Sequence, residues 1–127
     1  MISSKTTLAI GLGGIIGAMS RYMIAEAFPQ TNDFPASTLF INLLGCFILS
    51  YILFLPLVKQ IVNPALLTGL TTGVIGSFTT FSTVIIELYD LGQTNIGLTI
   101  TYLLISIFGG LFCCYLGFKF ARRGDKK

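Results

Sequence analysis

Residues 69–84 read Gly-Leu-Thr-Thr-Gly-Val-Ile-Gly-Ser-Phe-Thr-Thr-Phe-Ser-Thr-Val, in the middle of a run from 60 to 86 that holds no Asp, Glu, Lys or Arg. A bilayer core demands that backbone groups be satisfied internally, so a span is normally an unbroken helix. This stretch is poorly suited to one. Gly69, Gly73 and Gly76 weaken the helix, and Ser77, Thr79, Thr80, Ser82 and Thr83 crowd around Phe78 and Phe81. Close helix packing through small residues accounts for Gly69 and Gly73, four apart. It does not account for the hydroxyls. The stretch is therefore read as a membrane helix broken at mid-span, lining a polar pathway.

Working outward, residues 34–58 and 91–118 are also free of Asp, Glu, Lys and Arg, and each exceeds the roughly 20 residues that cross a bilayer. A fourth apolar segment near the N-terminus is interrupted only by Arg21 and Glu26. The expected fold is all-α: one integral membrane domain over residues 1–127 with spans near 6–27, 35–56, 64–88 and 96–120. The Gly-rich first span, with arginine at its far end, fits a retained helix better than a cleaved leader. Connections are short. Pro29, Asn32, Asp33 and Pro35 separate spans one and two; Pro56, Lys59, Asn63 and Pro64 separate two and three; Asp90, Gly92, Gln93 and Asn95 separate three and four. Asn63 is placed as an N-cap with Pro64 at the first helical position. No connection holds a domain, so function lies between helices.

Charge sets orientation. The N-terminus, second loop and C-terminus share a side and carry Lys5, Lys59, Lys119, Arg122, Arg123, Lys126 and Lys127. The other side has Asp33, Asp90 and Glu87, with Arg21 as its only candidate cation. The positive-inside rule places both termini in the cytoplasm, with the chain spanning the plasma membrane in one orientation.

The chemistry on offer is narrow. The chain has no histidine, and Cys46, Cys113 and Cys114 fall inside spans, where they read as small packing residues. No nucleophile–base pair can be assembled, which excludes an enzyme. Gly13 and Gly17 form a close-packing face in span one, and Arg21 either snorkels or faces an aqueous vestibule. Thr38 and Asn42 share a face of span two, and Tyr102 and Ser106 a face of span four. With Ser82 and Thr83 these are uncharged donors inside the spans, and no Lys or Arg lies near the middle of any of them. Neutral donors can replace part of the water shell of a small anion, whereas a buried cation would hold it too tightly. The positive edge of a phenylalanine ring can assist.

Three motifs, Gly-Gly-x-x-Gly-Ala-x-x-Arg-Tyr in span one, Thr-x-x-x-Asn-x-x-Gly in span two and Gly-x-x-Gly-x-Phe-Thr-Thr-Phe-Ser-Thr in span three, resemble the CrcB/Fluc fluoride channels. The resemblance implies an antiparallel dimer that exports fluoride passively, with pores at the dimer interface and a structural sodium ion at its centre. It assigns Phe81 to the pore lining and makes Asn42 and Tyr102 the residues that position that lining and donate to the ion. Thr38, Ser82, Thr83 and Ser106 form the polar track, and sodium sits on backbone carbonyls of Gly76 and Thr79. Arg21 matches the family's arginine, as a vestibule or structural residue.

One position departs. The family's second pore phenylalanine, three residues after Phe81, is here Val84. An antiparallel homodimer also needs one sequence inserted both ways, and seven basic residues against one do not balance. Both anomalies point to a heterodimer with an oppositely oriented family member. Two rivals are a proton-coupled exporter of the small multidrug resistance type, which needs a membrane-embedded carboxylate, and a non-conducting assembly subunit.

Overall fold

The apolar runs form four helical spans in a computed structural model that describes residues 3–28 and 34–123. The expected loop residues Pro29, Asn32 and Asp33, and the tail lysines Lys126 and Lys127, lie outside the described residues. Span one is a single helix, α1 (Ser4–Ala27), whose first turn is capped by the Ser3 hydroxyl. Span two is α2 (Ala36–Phe54). A short helix, α3 (Pro56–Ile61), follows where the sequence reads as a plain loop. Proline at its first position fits, because the ring removes only an amide that has no helical partner there.

Span three runs Pro64–Thr94 and span four Ile96–Arg123. Asn63 caps α4 (Pro64–Thr68) by accepting from the Ala65 amide at 2.9 Å, with Pro64 in the first turn, as its sequence position implies. The helix then widens into a π-helical segment over Gly69–Ile75, tightens again in α5 (Gly76–Phe78) and stops. Thr79 is fully extended (φ −81°, ψ 159°), and α6 (Ser82–Thr94) restarts immediately after Phe81. The break inferred from composition is therefore real, and Phe78 and Phe81 lie on opposite sides of it. Span three also continues beyond residue 88. Gly92 is only mildly unfavourable inside a helix, costing about 1 kcal/mol, and the chain reverses at Asn95 (φ −150°, ψ 95°), whose side chain caps α7 (Ile96–Leu104). A second π-helical segment, Ile105–Gly109, joins α7 to α8 (Gly110–Arg123).

The spans pack as two parallel pairs. In the first, α1 lies on the early part of span three. A methyl group at Gly17 would fall on the Val74 carbonyl, one at Gly13 on the Gly69 carbonyl, and one at Gly73 within 2.6 Å of the Ile10 carbonyl. Both small-residue pairs read from the sequence thus face each other. In the second pair, α2 runs beside α8: Gly117 meets the Phe47 carbonyl, and the Ser50 hydroxyl donates to the Cys114 carbonyl at 2.6 Å. With lipid as apolar as the side chains, close backbone approach and such hydrogen bonds supply the cohesion. The two pairs join through a hairpin of α6 and α7, where Val84, Leu91 and Tyr102 are buried together.

Candidate functional site: the break in span three

Breaking a helix at mid-span frees backbone groups that must find partners. Asn42, on α2, answers both groups of Thr80. Its Nδ2 donates to the Thr80 carbonyl and its Oδ1 accepts from the Thr80 amide, each at 2.8 Å. The Thr80 hydroxyl in turn lies 2.9 Å from that of Thr83 and 3.4 Å from that of Ser82, and accepts from the Thr83 amide at 3.3 Å. An asparagine amide reproduces the donor–acceptor pair of a peptide, which makes it a fitting clamp for an interrupted backbone.

This wiring has a consequence for two carbonyls. In an unbroken helix the Thr80 amide would close on Gly76 and the Thr83 amide on Thr79. Here those amides go to Asn42 and to the Thr80 hydroxyl. The Gly76 and Thr79 carbonyls thereby lose their helical donors. They suit a hard cation, which takes oxygen ligands. Among the described residues no group of three or more His, Cys, Asp or Glu side chains is placed to hold a metal.

Beside the break lies a cavity of about 600 Å³. Asn42, Gly76, Thr79, Thr80, Phe81 and Ser106 line it, and both π-helical segments contribute to its wall through Thr71, Ile75, Ser106 and Ile107. Phe81 is 78% exposed in the single chain. The Ser106 hydroxyl is buried and has no protein partner among the described residues. Gly76 is exposed toward this side, and a methyl group added there would meet nothing closer than 3.9 Å.

Thr38 and Tyr102 belong to a second cluster. The Thr38 hydroxyl donates to Glu87 Oε1 at 2.6 Å and the Tyr102 hydroxyl to Glu87 Oε2 at 2.7 Å. Tyr102 is fully buried, with Phe34 edge-on to its ring at 5.6 Å. Glu87 also faces a smaller cavity of about 350 Å³ lined by Pro35, Asp90, Leu91 and Thr94. From the sequence Glu87 reads only as a flanking charge. The missed signal is its position eight residues before Asn95, against seven for Tyr102 after it, which sets the two opposite each other in a hairpin turned at Asn95.

The structure thus brings Asn42, Phe81, Ser106, Gly76 and Thr79 to one cavity and Thr38 with Tyr102 to one carboxylate. Ser82 and Thr83 cluster at the start of α6 around Thr80. Arg21, half-buried near the end of α1, lines neither cavity. Val84 is buried, 8% exposed, between Tyr102 and the larger cavity.

Four spans with an interrupted third helix, clamped beside a cavity with neutral donors, define a multi-pass α-helical membrane protein with a polar site at mid-span. The family model described as "CrcB-like protein, Camphor Resistance (CrcB)" matches residues 8–118, and the chain belongs to that family. It is 42% identical to the fluoride-specific ion channel FluC 1 of Desulfitobacterium hafniense, over 88% of this chain and 99% of that protein. The FluC of Chlorobium phaeobacteroides is 39% identical over 91% of each chain. FluC 2 of Geobacillus kaustophilus is 39% identical over 94% of this chain and 95% of its own.

Proposed function

We propose that this protein is a fluoride-selective channel that lowers cytoplasmic fluoride by passive electrodiffusion through the plasma membrane. Its family membership supports this reading, and the observation that carries it is the clamped break in span three. A broken helix turns two ends toward one place, carbonyls from the first half and amides from the second, with partial charges of opposite sign. The carbonyl end supports a structural sodium ion on Gly76 and Thr79. The amide end of α6 begins at Phe81, where an anion benefits from the helix terminus, the positive edge of the ring and the neutral donors of Asn42 and Ser106. Ser82 and Thr83 extend the polar track at the start of α6, and Thr38 and Tyr102, buried with their hydroxyl protons on Glu87, back it from α2 and α7. Arg21 acts apart from this set.

The conducting unit is a dimer with an oppositely inserted partner, since Phe81 and Gly76 stand exposed beside the cavity of a single chain. The partner is a second family member rather than another copy. Val84 stands between Tyr102 and the larger cavity, where a valine offers no ring to a pore, and the basic residues fix one orientation, with both termini cytoplasmic. Relatives bearing the numbered names FluC 1 and FluC 2 fit a pairing of this kind.

Fluoride efflux from liposomes tests both levels of the reading. Co-reconstitution with an oppositely inserted family member should give rapid, electrogenic efflux without a proton gradient, and Phe81→Ile should abolish most of it. Robust efflux by the lone chain would remove the heterodimer. Efflux that requires a proton gradient, or that survives Phe81→Ile unchanged, would remove the channel assignment.

A further inference from the structure

Span two ends at Phe54, which stands edge-on to Phe118 of α8 at 4.8 Å, so the corner leading into α3 is tied to the last turns of span four. On α3, Leu57 and Ile61 are exposed although the helix is only six residues long. On α8, Tyr115, Lys119 and Arg122 recur at helical spacing along one face. The Arg122 guanidinium lies 5.1 Å from the centre of the Phe118 ring, and the Lys119 ammonium 5.8 Å from that of Tyr115. Lys119, Arg122 and Arg123 are all exposed. From residue 119 onward the sequence holds Lys119, Arg122, Arg123, Lys126 and Lys127 against the single acid Asp125.

We propose that this corner, between α3 and the end of α8, is a binding site for the headgroup of an anionic phospholipid. Rings beneath the two cations keep them extended toward the membrane surface and lower the entropy lost when they grip a phosphodiester. Exposed Leu57 and Ile61 on a short helix flanking a span are suited to the interface between headgroups and acyl chains. A free phosphate ion has no use for that apolar surface; a phospholipid uses both parts. The site lies away from the cavity at the break in span three, so it stands whether or not the channel assignment does.

The test uses the full chain purified in detergent and titrated with phosphatidylglycerol or phosphatidylcholine, bound lipid being counted by native mass spectrometry. Phosphatidylglycerol should be retained in preference. Each neutralised cation should weaken its binding about fivefold, so Lys119→Gln with Arg122→Gln should cost roughly 25-fold at the same rate. Phe118→Leu, which keeps every charge, should cost about two- to fivefold. With the unaltered protein, raising salt from low to molar concentration should erode the preference, because exposed charges are screened; this arm remains if a variant fails to fold. Equal retention of the two lipids, retention indifferent to both salt and the paired substitution, or displacement by equimolar inorganic phosphate would each overturn the proposal.

Discussion

Asn42 shows how much one side chain can decide. Its amide completes the backbone of Thr80 at the point where span three cannot complete itself. Asn42→Ala leaves the Thr80 carbonyl and amide without their protein partners on the wall of the cavity, at a cost of about 0.5–1.5 kcal/mol for each hydrogen bond lost. The variant should melt well below the unaltered protein in detergent and lose conduction even where it folds. A thermal melt unchanged by the substitution would show that the clamp is dispensable. Tyr102→Phe asks a narrower question: it keeps the ring against Phe34 and removes the donor to Glu87. Loss of an intramolecular hydrogen bond costs about 0.5–1.5 kcal/mol, so a measurable drop in melting temperature is expected. Asn42 and Tyr102 were legible in the sequence as polar residues at membrane depth. Their partners were not, because a hydrogen bond between α2 and span three depends on how the two helices are rotated.

Among the elements, the glycines of span three divide into two kinds that composition alone does not separate. Gly69 and Gly73 press against α1, where the nearest atoms to an added methyl group are Ala9 and Ile10. Gly76 has room. Gly17→Val and Gly73→Val should therefore disrupt the folded single chain, because added volume there meets backbone that cannot move aside. Gly76→Val should leave the chain folded but weaken dimerisation or conduction. Circular dichroism and size-exclusion chromatography distinguish these outcomes, and a Gly76→Val protein that dimerises and conducts normally would count against both the interface and the sodium site. Val84 follows the same logic in reverse. Its burial beside Tyr102 became visible only once α6 and α7 were seen to form a hairpin.

At the scale of the whole molecule, orientation is the property that charge controls. Seven basic residues on one side against Arg21 as the only candidate on the other should hold the chain in one topology. A reporter fused to the C-terminus should register the cytoplasmic side in essentially every copy, and a mixed signal would restore the homodimer. The sequence by itself determined the number of spans, their order, the break and this charge asymmetry. Each follows from local composition: runs without charge, glycine and hydroxyl density, and the side on which lysine and arginine fall. Only the tertiary structure decided that Asn42 closes the break, that Glu87 joins Thr38 to Tyr102, and that Gly76 stands free while Gly73 is packed. Those outcomes depend on which faces of distant helices meet, and helix rotation in a bilayer is set by contacts between spans rather than by any one span's composition.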